Sequence, residues 1–344
     1  MRNDTAVSTA PDQGTHPSGS RTRAVVTSLL WAGHWLLRLW LAVYLLIYGW
    51  SKIFHMQMGY ADFADALVQY GEMSPMGLLW RFMAFSPTVQ FLAGLAEVAA
   101  AVLLLFRRTA WLGALLAAID MSVVFLLNLT FDVPVKQLSG LMALVGLILL
   151  LPNIVRLGRF VVGLPTGPPV QGTITENRRF RAVVRWASPL LALVLVVGSG
   201  LALGLRANWG QPDPPSAIAG VYRVTDVGQR TLAGSEISQV AFGQIAVAGR
   251  ARAAIRYTGG TYQDGMYTFE DGSTVTLSLY PKRNGDQGLI RDVETTISLA
   301  FVKAGSGDLR LSGEGLDLTL VSDSERRYLF DRDFSWSRRE PINR

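Results

Sequence analysis

Three ionisable side chains lie near the middle of long apolar segments: Arg38, Glu97 and Asp120. A charge in the bilayer core is costly unless it is paired or hydrated, so such residues usually mark a functional site. One guanidinium close to two carboxyl groups favours protonation of one carboxyl, because of like-charge repulsion and desolvation. The three residues predict a polar pocket at mid-membrane depth, in which Glu97 and Asp120 are candidate catalytic groups that exchange a proton.

The first apolar segment carries further polar side chains on the face of Arg38. At about 100° per residue of an α-helix, His34, Tyr48 and Lys52 fall on one stripe with Arg38. Such a stripe is expected to face the interior of a helix bundle rather than lipid. These four residues are therefore candidate ligand-binding positions, and Arg38 would hold an anion or a carbonyl oxygen.

Two other interpretations of these charges stay open. Arg38 and Glu97 could form an ion pair that only fixes the packing of their helices. Lys52 and Lys136 could together bind an anion, such as a sulfur oxyanion or a lipid headgroup, because both are expected near the same membrane face.

Metal and thiol chemistry find little support in the composition. The chain has no cysteine among its 344 residues, which excludes disulfides, thiolate nucleophiles, iron–sulfur clusters and cysteine-ligated zinc. A three-histidine site would need His16, which lies in a polar terminal segment, so we predict no metal site. The methionines between residues 56 and 83, beside His55, could bind Cu(I) or simply pack interfacial helices. They are Met56, Met58, Met73, Met76 and Met83.

The elements that position these residues are membrane-spanning helices. Half of the chain is hydrophobic and 17% is charged, against about 25% in soluble domains. A helix of about 20 apolar residues crosses the bilayer. The five stretches of this kind lie near residues 25–50, 88–106, 109–130, 137–157 and 187–206. The segments predicted around them are a disordered cytoplasmic tail at 1–24, a four-helix bundle at 25–160, a cytoplasmic linker at 161–186 and a fifth transmembrane helix at 187–206.

Basic residues predict the orientation of these helices. The flanks expected on one side contain eleven Lys or Arg, and those on the other side contain three. The positive-inside rule then places the N-terminus in the cytoplasm and residue 207 onward in the periplasm or outside the cell, for a multi-pass protein of the inner membrane. Residues 207–344 contain 16 basic and 17 acidic residues, so nucleic-acid binding is not expected.

Residues 210–344 follow a different pattern, with short alternating segments typical of β-strands. Examples are 220–224, 273–280 and 309–312, and Asp271-Gly272 and Asn284-Gly285 are typical hairpin turns. About eight to ten short strands fit this length, which predicts an exported all-β barrel or sandwich domain.

Several short motifs resemble those of the DoxX-like family of bacterial membrane proteins. They are Leu37-Arg38-Leu39, Tyr48-Gly49-Trp50-Ser51-Lys52, Gly94-Leu95-Ala96-Glu97, Asn128, Asp132-Val133-Pro134-Val135-Lys136-Gln137-Leu138-Ser139 and Arg156-Leu157. The resemblance covers roughly residues 30–160. It implies a four-helix membrane bundle and adds Asn128 and Lys136 to the candidate ligand-binding residues. The ending from Phe334-Ser335-Trp336 to Pro341-Ile342-Asn343-Arg344 resembles extended members that carry an exported C-terminal domain.

The resemblance also implies a loose link to membrane redox complexes, through the small subunit of an archaeal thiosulfate:quinone oxidoreductase. We therefore expect an accessory subunit of a quinone-linked redox system, with quinone as the candidate cofactor, lipid around the bundle and a membrane or periplasmic protein as partner. The sequence contains no haem, flavin or nucleotide motif and leaves open whether the protein is an enzyme. The alternatives are a membrane anchor or scaffold whose β-domain binds an envelope partner and, less favoured, a small-solute transporter.

Overall fold

The structure is a computed structural model that describes residues 18–170, 172, 177–208, 212–225, 228–269, 272–283, 292–304, 307–332 and 335–342. Several predicted features lie outside these residues. They are residues 1–17 of the expected tail, Asp271, the Asn284-Gly285 turn, and Phe334, Asn343 and Arg344 of the C-terminal ending.

The N-terminal half of the described chain is helical. The helices are α1 (Ser18–Ile53), α2 (Pro75–Phe85), α3 (Pro87–Leu105), α4 (Ala110–Thr130), α5 (Lys136–Leu150), α6 (Ile154–Val161) and α7 (Arg178–Asn208). Five helical segments are long and apolar enough to cross a membrane: Thr22–Ile53, Pro87–Leu105, Ala110–Thr130, Lys136–Val161 and Arg185–Ala207. They confirm the five predicted spans.

Two helices begin earlier than the apolar pattern indicates. Helix α1 includes residues 18–24, which were expected in the tail, and α7 begins at Arg178, inside the expected linker. Both extensions contain arginines, such as Arg21, Arg23 and Arg178, and arginine is a good helix former, so the two helices continue beyond their apolar stretches. At the same end of the bundle, Pro152 separates α5 from α6 through a 3₁₀ turn, because proline lacks the amide that would continue the ladder.

Glycines allow the bundle helices to approach closely. A Cβ on Gly94 would lie 2.5 Å from the carbonyl oxygen of Gly49, so α1 and α3 touch backbone to backbone. A Cβ on Gly146 would lie 3.0 Å from the backbone of Ala118, which places α5 equally close to α4. Small residues at such contacts permit tight helix packing in lipid.

Helix α7 lies on the outside of the four-helix core. It contacts α1 and α3, and the indole Nε1 of Trp50 donates a hydrogen bond to Ser199 Oγ at 3.1 Å. Most of its side chains are exposed, among them Leu190, Leu193 and Val194. The fold is therefore the expected four-helix core with a fifth peripheral transmembrane helix.

The C-terminal part is an antiparallel β-barrel of eight strands, with a ninth strand of only two residues at its edge. Its strands are β1 (Gly220–Val224), β2 (Thr231–Leu232), β3 (Ser235–Val247), β4 (Arg250–Tyr257), β5 (Tyr262–Phe269), β6 (Thr274–Leu279), β7 (Thr295–Lys303), β8 (Leu309–Gly313) and β9 (Leu316–Ser322). Consecutive strands pair from β3 to β9, and β1 closes the barrel by pairing with both β9 and β3. The two-residue β2 only extends the edge of β3. The alternative of a sandwich is thereby resolved in favour of a barrel.

Inward-facing side chains fill the barrel. Tyr222, Phe242, Tyr267, Leu277 and Leu299 belong to one buried apolar cluster, and the Phe242 and Tyr267 rings meet edge to face at 5.2 Å. An eight-stranded barrel is just wide enough for side chains to fill it. The interior is accordingly a packed core.

A short final helix, α8 (Ser324–Asp331), follows the last strand. Its Asp323 cap accepts a hydrogen bond from the Arg326 amide.

Candidate functional site

A cavity of about 300 Å³ lies among α1 to α5. Most of its wall is apolar and includes Leu79, Trp80, Met121, Leu127 and Met142. Five of the eight predicted site residues also line it. They are Tyr48, Lys52, Glu97, Asp120 and Asn128.

Lys52 and Glu97 form a buried ion pair on this cavity. The Lys52 ammonium donates a hydrogen bond to Glu97 Oε1 at 2.7 Å, and the two residues are 4% and 1% exposed. The pair depends on the close approach of α1 and α3, since a Cβ on Gly94 would lie 2.8 Å from the Lys52 Cβ. A larger residue at position 94 would push the lysine stem away from α3.

The two carboxyl groups of the cavity are incompletely bonded. Glu97 Oε2 and Asp120 Oδ2 are buried, and neither has a hydrogen-bond partner among the described residues. Asp120 interacts electrostatically with both Lys52 and Glu97. Buried polar atoms without partners are rare and call for an explanation. Here one lysine serves two carboxyl groups, which leaves acceptor or donor capacity for a ligand.

Neutral polar side chains also line the cavity. The Asn128 side-chain amide donates to Ser139 Oγ at 3.0 Å, which links α4 to the start of α5. Tyr48 lies on the α1 side, with its ring centroid 5.6 Å from the Lys52 ammonium. Both can take part in hydrogen bonding to a ligand.

Arg38 lies outside this cavity, so the prediction that it meets Glu97 and Asp120 in one pocket is wrong. Its guanidinium donates to the backbone oxygen of Leu104, at 3.0 Å from Nε. The alternative of an Arg38–Glu97 ion pair is wrong for the same reason. Helix α1 extends well past the end of α3, so the middle of α1 is level with the last turn of α3. Lys52 lies about 21 Å further along the helix at 1.5 Å per residue, and it supplies the cation instead.

The remaining two predicted ligand-binding residues also lie elsewhere. The His34 ring is 3.3 Å from the Leu149 oxygen, beside Arg38. Lys136 forms an ion pair with Asp132 at the start of α5. That bond lowers the pKa of the exposed Asp132 carboxyl. Because Lys52 and Lys136 each have their own carboxylate, the joint anion site that was considered for them is not formed.

The clustered methionines are distributed over separate packing environments. Met83 is buried against Leu79 and Val133, and Met58 and Met76 pack on the same cluster. Met73 instead packs on a cluster that includes the barrel residue Val221. Their packing role is therefore visible in the structure.

Residues 62–72, here called the docking loop, attach the barrel to the bundle. The loop folds into 3₁₀ helices at Phe63–Leu67 and Tyr70–Glu72. Leu67 and Val68 are buried against Val221 and Ala254 of the barrel. The docking was not predictable from the sequence, because no local pattern marks a partner about 180 residues away.

Arginines of β4 bind the acidic side chains of the docking loop. Arg252 donates to both oxygens of Asp65, at 3.0 and 3.1 Å. Arg256 donates to both oxygens of Glu72, each at 2.6 Å, and also to the Leu67 carbonyl. Such two-bond pairs between arginine and carboxylate are strong and fix the geometry of the groups.

Asp65 also connects the barrel to the cavity. It accepts a hydrogen bond from Arg81 Nε at 3.1 Å, and Arg81 belongs to α2, whose Trp80 and Phe82 line the cavity. The barrel, the docking loop and one cavity wall are thus joined through a single carboxylate.

Asp62 is a buried carboxyl group of the docking loop whose hydrogen bonds and neighbouring charges offset only part of its desolvation cost. Its Oδ1 accepts from the Gln244 amide at 2.9 Å, while its Oδ2 is buried with no partner among the described residues. The carboxylate lies against Gly243, where a Cβ would come within 2.4 Å of Oδ2. Burial raises the pKa of Asp62 to about 6, despite the opposing effect of Arg252.

The C-terminal helix adds to this contact. Phe330 of α8 meets Phe63 edge to face at 5.4 Å, and the Arg327 guanidinium lies 5.0 Å from the centre of the Phe63 ring. Helix α8 therefore packs against the docking loop as well as against the barrel.

Five apolar spans, four of which surround a cavity with charged groups, and a β-barrel that follows them define a multi-pass membrane protein with a docked β-domain. The family model described as DoxX matches residues 33–129, which include α3, most of α1 and nearly all of α4. A curated relative, the uncharacterized protein YwoB of Bacillus subtilis (strain 168), is 32% identical over 122 residues, covering 33% of this chain and 71% of the relative. The chain belongs to the DoxX family. No solved structure matches the chain significantly.

Proposed function

We propose that the protein is an accessory subunit of a quinone-linked redox system of the inner membrane, and that the bundle cavity binds the quinone. The observation that carries the proposal is the apolar cavity with two buried carboxyl oxygens at its wall that find no hydrogen-bond partner within the described part of the chain. Binding sites for small molecules are mostly apolar, with a few polar groups that set orientation.

The lining residues fit a quinone in a simple way. The Lys52 ammonium can donate a hydrogen bond to one carbonyl oxygen of the quinone ring. Glu97 or Asp120, in protonated form, can donate a second hydrogen bond to that end of the ring. Reduction of a quinone to a quinol consumes two electrons and two protons. The carboxyl groups would supply protons, and we assign electron delivery to a partner subunit.

The apolar wall suits a ligand that arrives from the bilayer. Phe82 and Val123 line the cavity and are also largely exposed, at 65% and 54%. These side chains face lipid in a membrane, so the cavity borders the hydrocarbon region. A lipid-soluble ring with an apolar tail matches that access better than a water-soluble solute does.

The test is binding of a short-chain quinone to the full-length protein in lipid nanodiscs, measured by equilibrium dialysis. Glu97→Gln keeps the shape of the side chain and removes its proton exchange, and Asp120→Asn does the same at the second carboxyl group. We expect at least a tenfold loss of quinone affinity in one of these variants. The matched control is Asp132→Asn, which alters an exposed carboxylate outside the cavity.

A second readout follows quinone reduction in vesicles prepared from the native membrane. We expect Glu97→Gln to slow reduction and Asp132→Asn to leave it at the wild-type rate. Unchanged binding and unchanged reduction in both cavity variants, with folding verified, would refute the proposal.

The alternative of a scaffold is supported by one observation, the docked barrel with its two-bond arginine pairs. In that case the β-domain would bind a periplasmic or other envelope partner, and the bundle would serve as its anchor. Deletion of residues 210–344 separates the two functions. Quinone binding that survives the deletion favours the redox proposal, whereas loss of function with an intact, quinone-free bundle favours the scaffold.

A further inference from the structure

The membrane face opposite the docking loop, here called the hairpin side, carries four neighbouring arginines. Arg107 and Arg108 form the turn between α3 and α4, Arg185 belongs to the first part of α7, and Arg38 lies within α1. Among the described residues, no carboxylate forms an ion pair with any of the four. By contrast, the basic side chains beside the bundle cavity and the docking loop each form an ion pair with a carboxylate. They are Lys52, Arg81, Arg252 and Arg256.

A groove between the α3–α4 turn and α7 brings these arginines together. It has a volume of about 410 Å³, and its wall includes Phe106, Arg107, Arg108, Arg185 and Pro189. A small inner cavity of about 20 Å³ shares Leu105 and Ser188 with the groove and is lined by Arg38. The groove therefore leads from an exposed cationic rim towards a buried guanidinium.

Of these four arginines, Arg38 has the largest desolvation cost, because it is buried and the other three are exposed. The residue is 6% exposed, and its hydrogen bonds go to one backbone oxygen, that of Leu104. Arg107 lies close enough to repel it electrostatically. A buried cation without a counter-charge is strongly unfavourable, and an anion in the adjoining groove would offset that cost.

We propose that this groove binds the phosphate headgroup of an anionic phospholipid. Arg107, Arg108 and Arg185 would contact the phosphate, and one acyl chain would lie along the exposed apolar surface of α7, where Leu190 and Val194 are 62% and 58% exposed. Basic pockets between transmembrane helices bind anionic headgroups in this way. The site is separate from the quinone cavity and does not depend on the function proposed for it.

The membrane itself is the favoured source of the phosphate. The groove has apolar walls at Leu105 and Phe106 and continues onto a lipid-facing helix. Flanking arginines also fix the orientation of membrane helices, but orientation alone requires neither a groove nor a buried arginine at its inner end.

The experiment uses the full-length protein, purified in detergent and depleted of lipid. Phosphatidylglycerol or phosphatidylcholine is added in mixed micelles, and retained lipid is counted by native mass spectrometry. We expect phosphatidylglycerol adducts to exceed phosphatidylcholine adducts several-fold. The double variant Arg108→Gln, Arg185→Gln should lose most of that preference, because both side chains are exposed on the rim.

Arg159→Gln is the matched control, since Arg159 is an exposed arginine of α6 that does not line the groove. It should retain the preference for phosphatidylglycerol. A thermal unfolding series with inorganic phosphate gives the second arm, because a bound ligand raises the midpoint with its concentration. Equal adducts for both lipids, equal loss in the control, or a midpoint shift from inorganic phosphate as large as that from phosphatidylglycerol would each overturn the proposal.

Discussion

The bundle cavity and the docking loop both contain buried or half-buried ion pairs, but they use them differently. In the docking loop, Asp65 and Glu72 bind arginines through both carboxylate oxygens. In the cavity, Glu97 binds Lys52 through one oxygen. Its other oxygen and one oxygen of Asp120 have no hydrogen-bond partner among the residues that the structure describes.

This difference indicates which charges hold the structure together and which are available for chemistry. In an arginine–carboxylate pair both carboxylate oxygens are engaged by the protein itself, so the pairs at Asp65 and Glu72 fix the position of the barrel. An unsaturated buried carboxyl group costs stability, and proteins usually keep such groups at functional sites. Asp62 of the docking loop also keeps such an oxygen, but Gly243 of the barrel packs against it, whereas Glu97 and Asp120 border a cavity of about 300 Å³. The comparison therefore favours the cavity over the docking loop as the ligand site.

The largest effect is expected from Lys52→Met, because it leaves the Glu97 carboxyl buried without its cation. Breaking a buried pair costs about 3–5 kcal/mol, so the variant should unfold at a clearly lower temperature or denaturant concentration. The double variant Lys52→Met, Glu97→Leu should recover most of that stability and still fail to bind quinone. A double variant that binds quinone as well as wild type would separate the pair from the proposed function.

A smaller loss of stability is expected from Arg256→Met at the docking loop. It removes the two hydrogen bonds to Glu72 and the bond to the Leu67 carbonyl, but Glu72 is exposed enough to be hydrated, with 38% of its side chain accessible. Charged hydrogen bonds contribute about 1.5–3 kcal/mol each in favourable cases, and hydration of Glu72 reduces that sum.

The readout for Arg256→Met is the rate of limited proteolysis within the docking loop, compared with the thermal midpoint of the bundle. We expect faster cleavage of the loop and a bundle midpoint close to wild type. Arg230→Met is a suitable control, because it removes an arginine–carboxylate pair within the barrel itself, that of Arg230 with Glu236. If the control is cleaved as fast as Arg256→Met, the arginine pair does not hold the barrel.

The third prediction concerns the pH dependence of docking through Asp62. Its pKa is raised from 3.8 to about 6 by burial in the docked state, so docking binds a proton. The stabilisation from this group is complete below about pH 3.8 and is lost as the pH rises through about 6, a change of about 2–3 kcal/mol at most. The hydrogen bonds that Glu72 accepts from Arg256 lower the pKa of its carboxyl group, so Glu72 stabilises docking in its charged form. That stabilisation is lost only when the pH falls below the usual pKa of a glutamate, outside the range in which Asp62 titrates.

Spin labels at Tyr70→Cys and Gly259→Cys measure this effect between pH 5 and 7. Both positions are exposed, and the chain has no other cysteine. In the protein that keeps Asp62, the distribution of distances between the two labels should become broader as the pH rises. Asp62→Asn, which imitates the protonated carboxyl group, should keep it narrow throughout. The same broadening in Asp62→Asn would assign the pH dependence to another group.

The smallest effect is expected from Asp132→Asn. The carboxylate is exposed and pairs with Lys136 four residues later, and exposed pairs of this kind contribute little. The thermal midpoint should stay within experimental error of wild type. A large shift would show that this exposed pair contributes more to stability than such pairs usually do.

Local patterns explain how much of the fold was predictable. Uninterrupted apolar stretches define the five spans, because the bilayer requires a helix of fixed length, and alternation with turn residues defines the strands of the C-terminal domain. The barrel closure itself was not predictable, since it depends on β1 pairing with β3 and β9 across the domain.

The candidate site was predictable in composition but not in pairing. Glu97, Asp120, Tyr48, Lys52 and Asn128 line one cavity as their polarity within apolar segments suggested. The depth of Arg38 relative to Glu97 was not predictable from its position in the middle of its own apolar segment, because α1 extends far beyond the end of α3.

The amino-acid sequence alone thus determined which segments enter the membrane and which charged residues they carry into it, because hydrophobicity and helix length act locally along the chain. Only the tertiary structure decided that Lys52 rather than Arg38 neutralises Glu97, and that acidic residues of the docking loop bind the barrel. Both outcomes depend on the relative offset of elements distant in sequence, and that offset is set by close helix packing at Gly49 and Gly94 and by the geometry of arginine–carboxylate pairs.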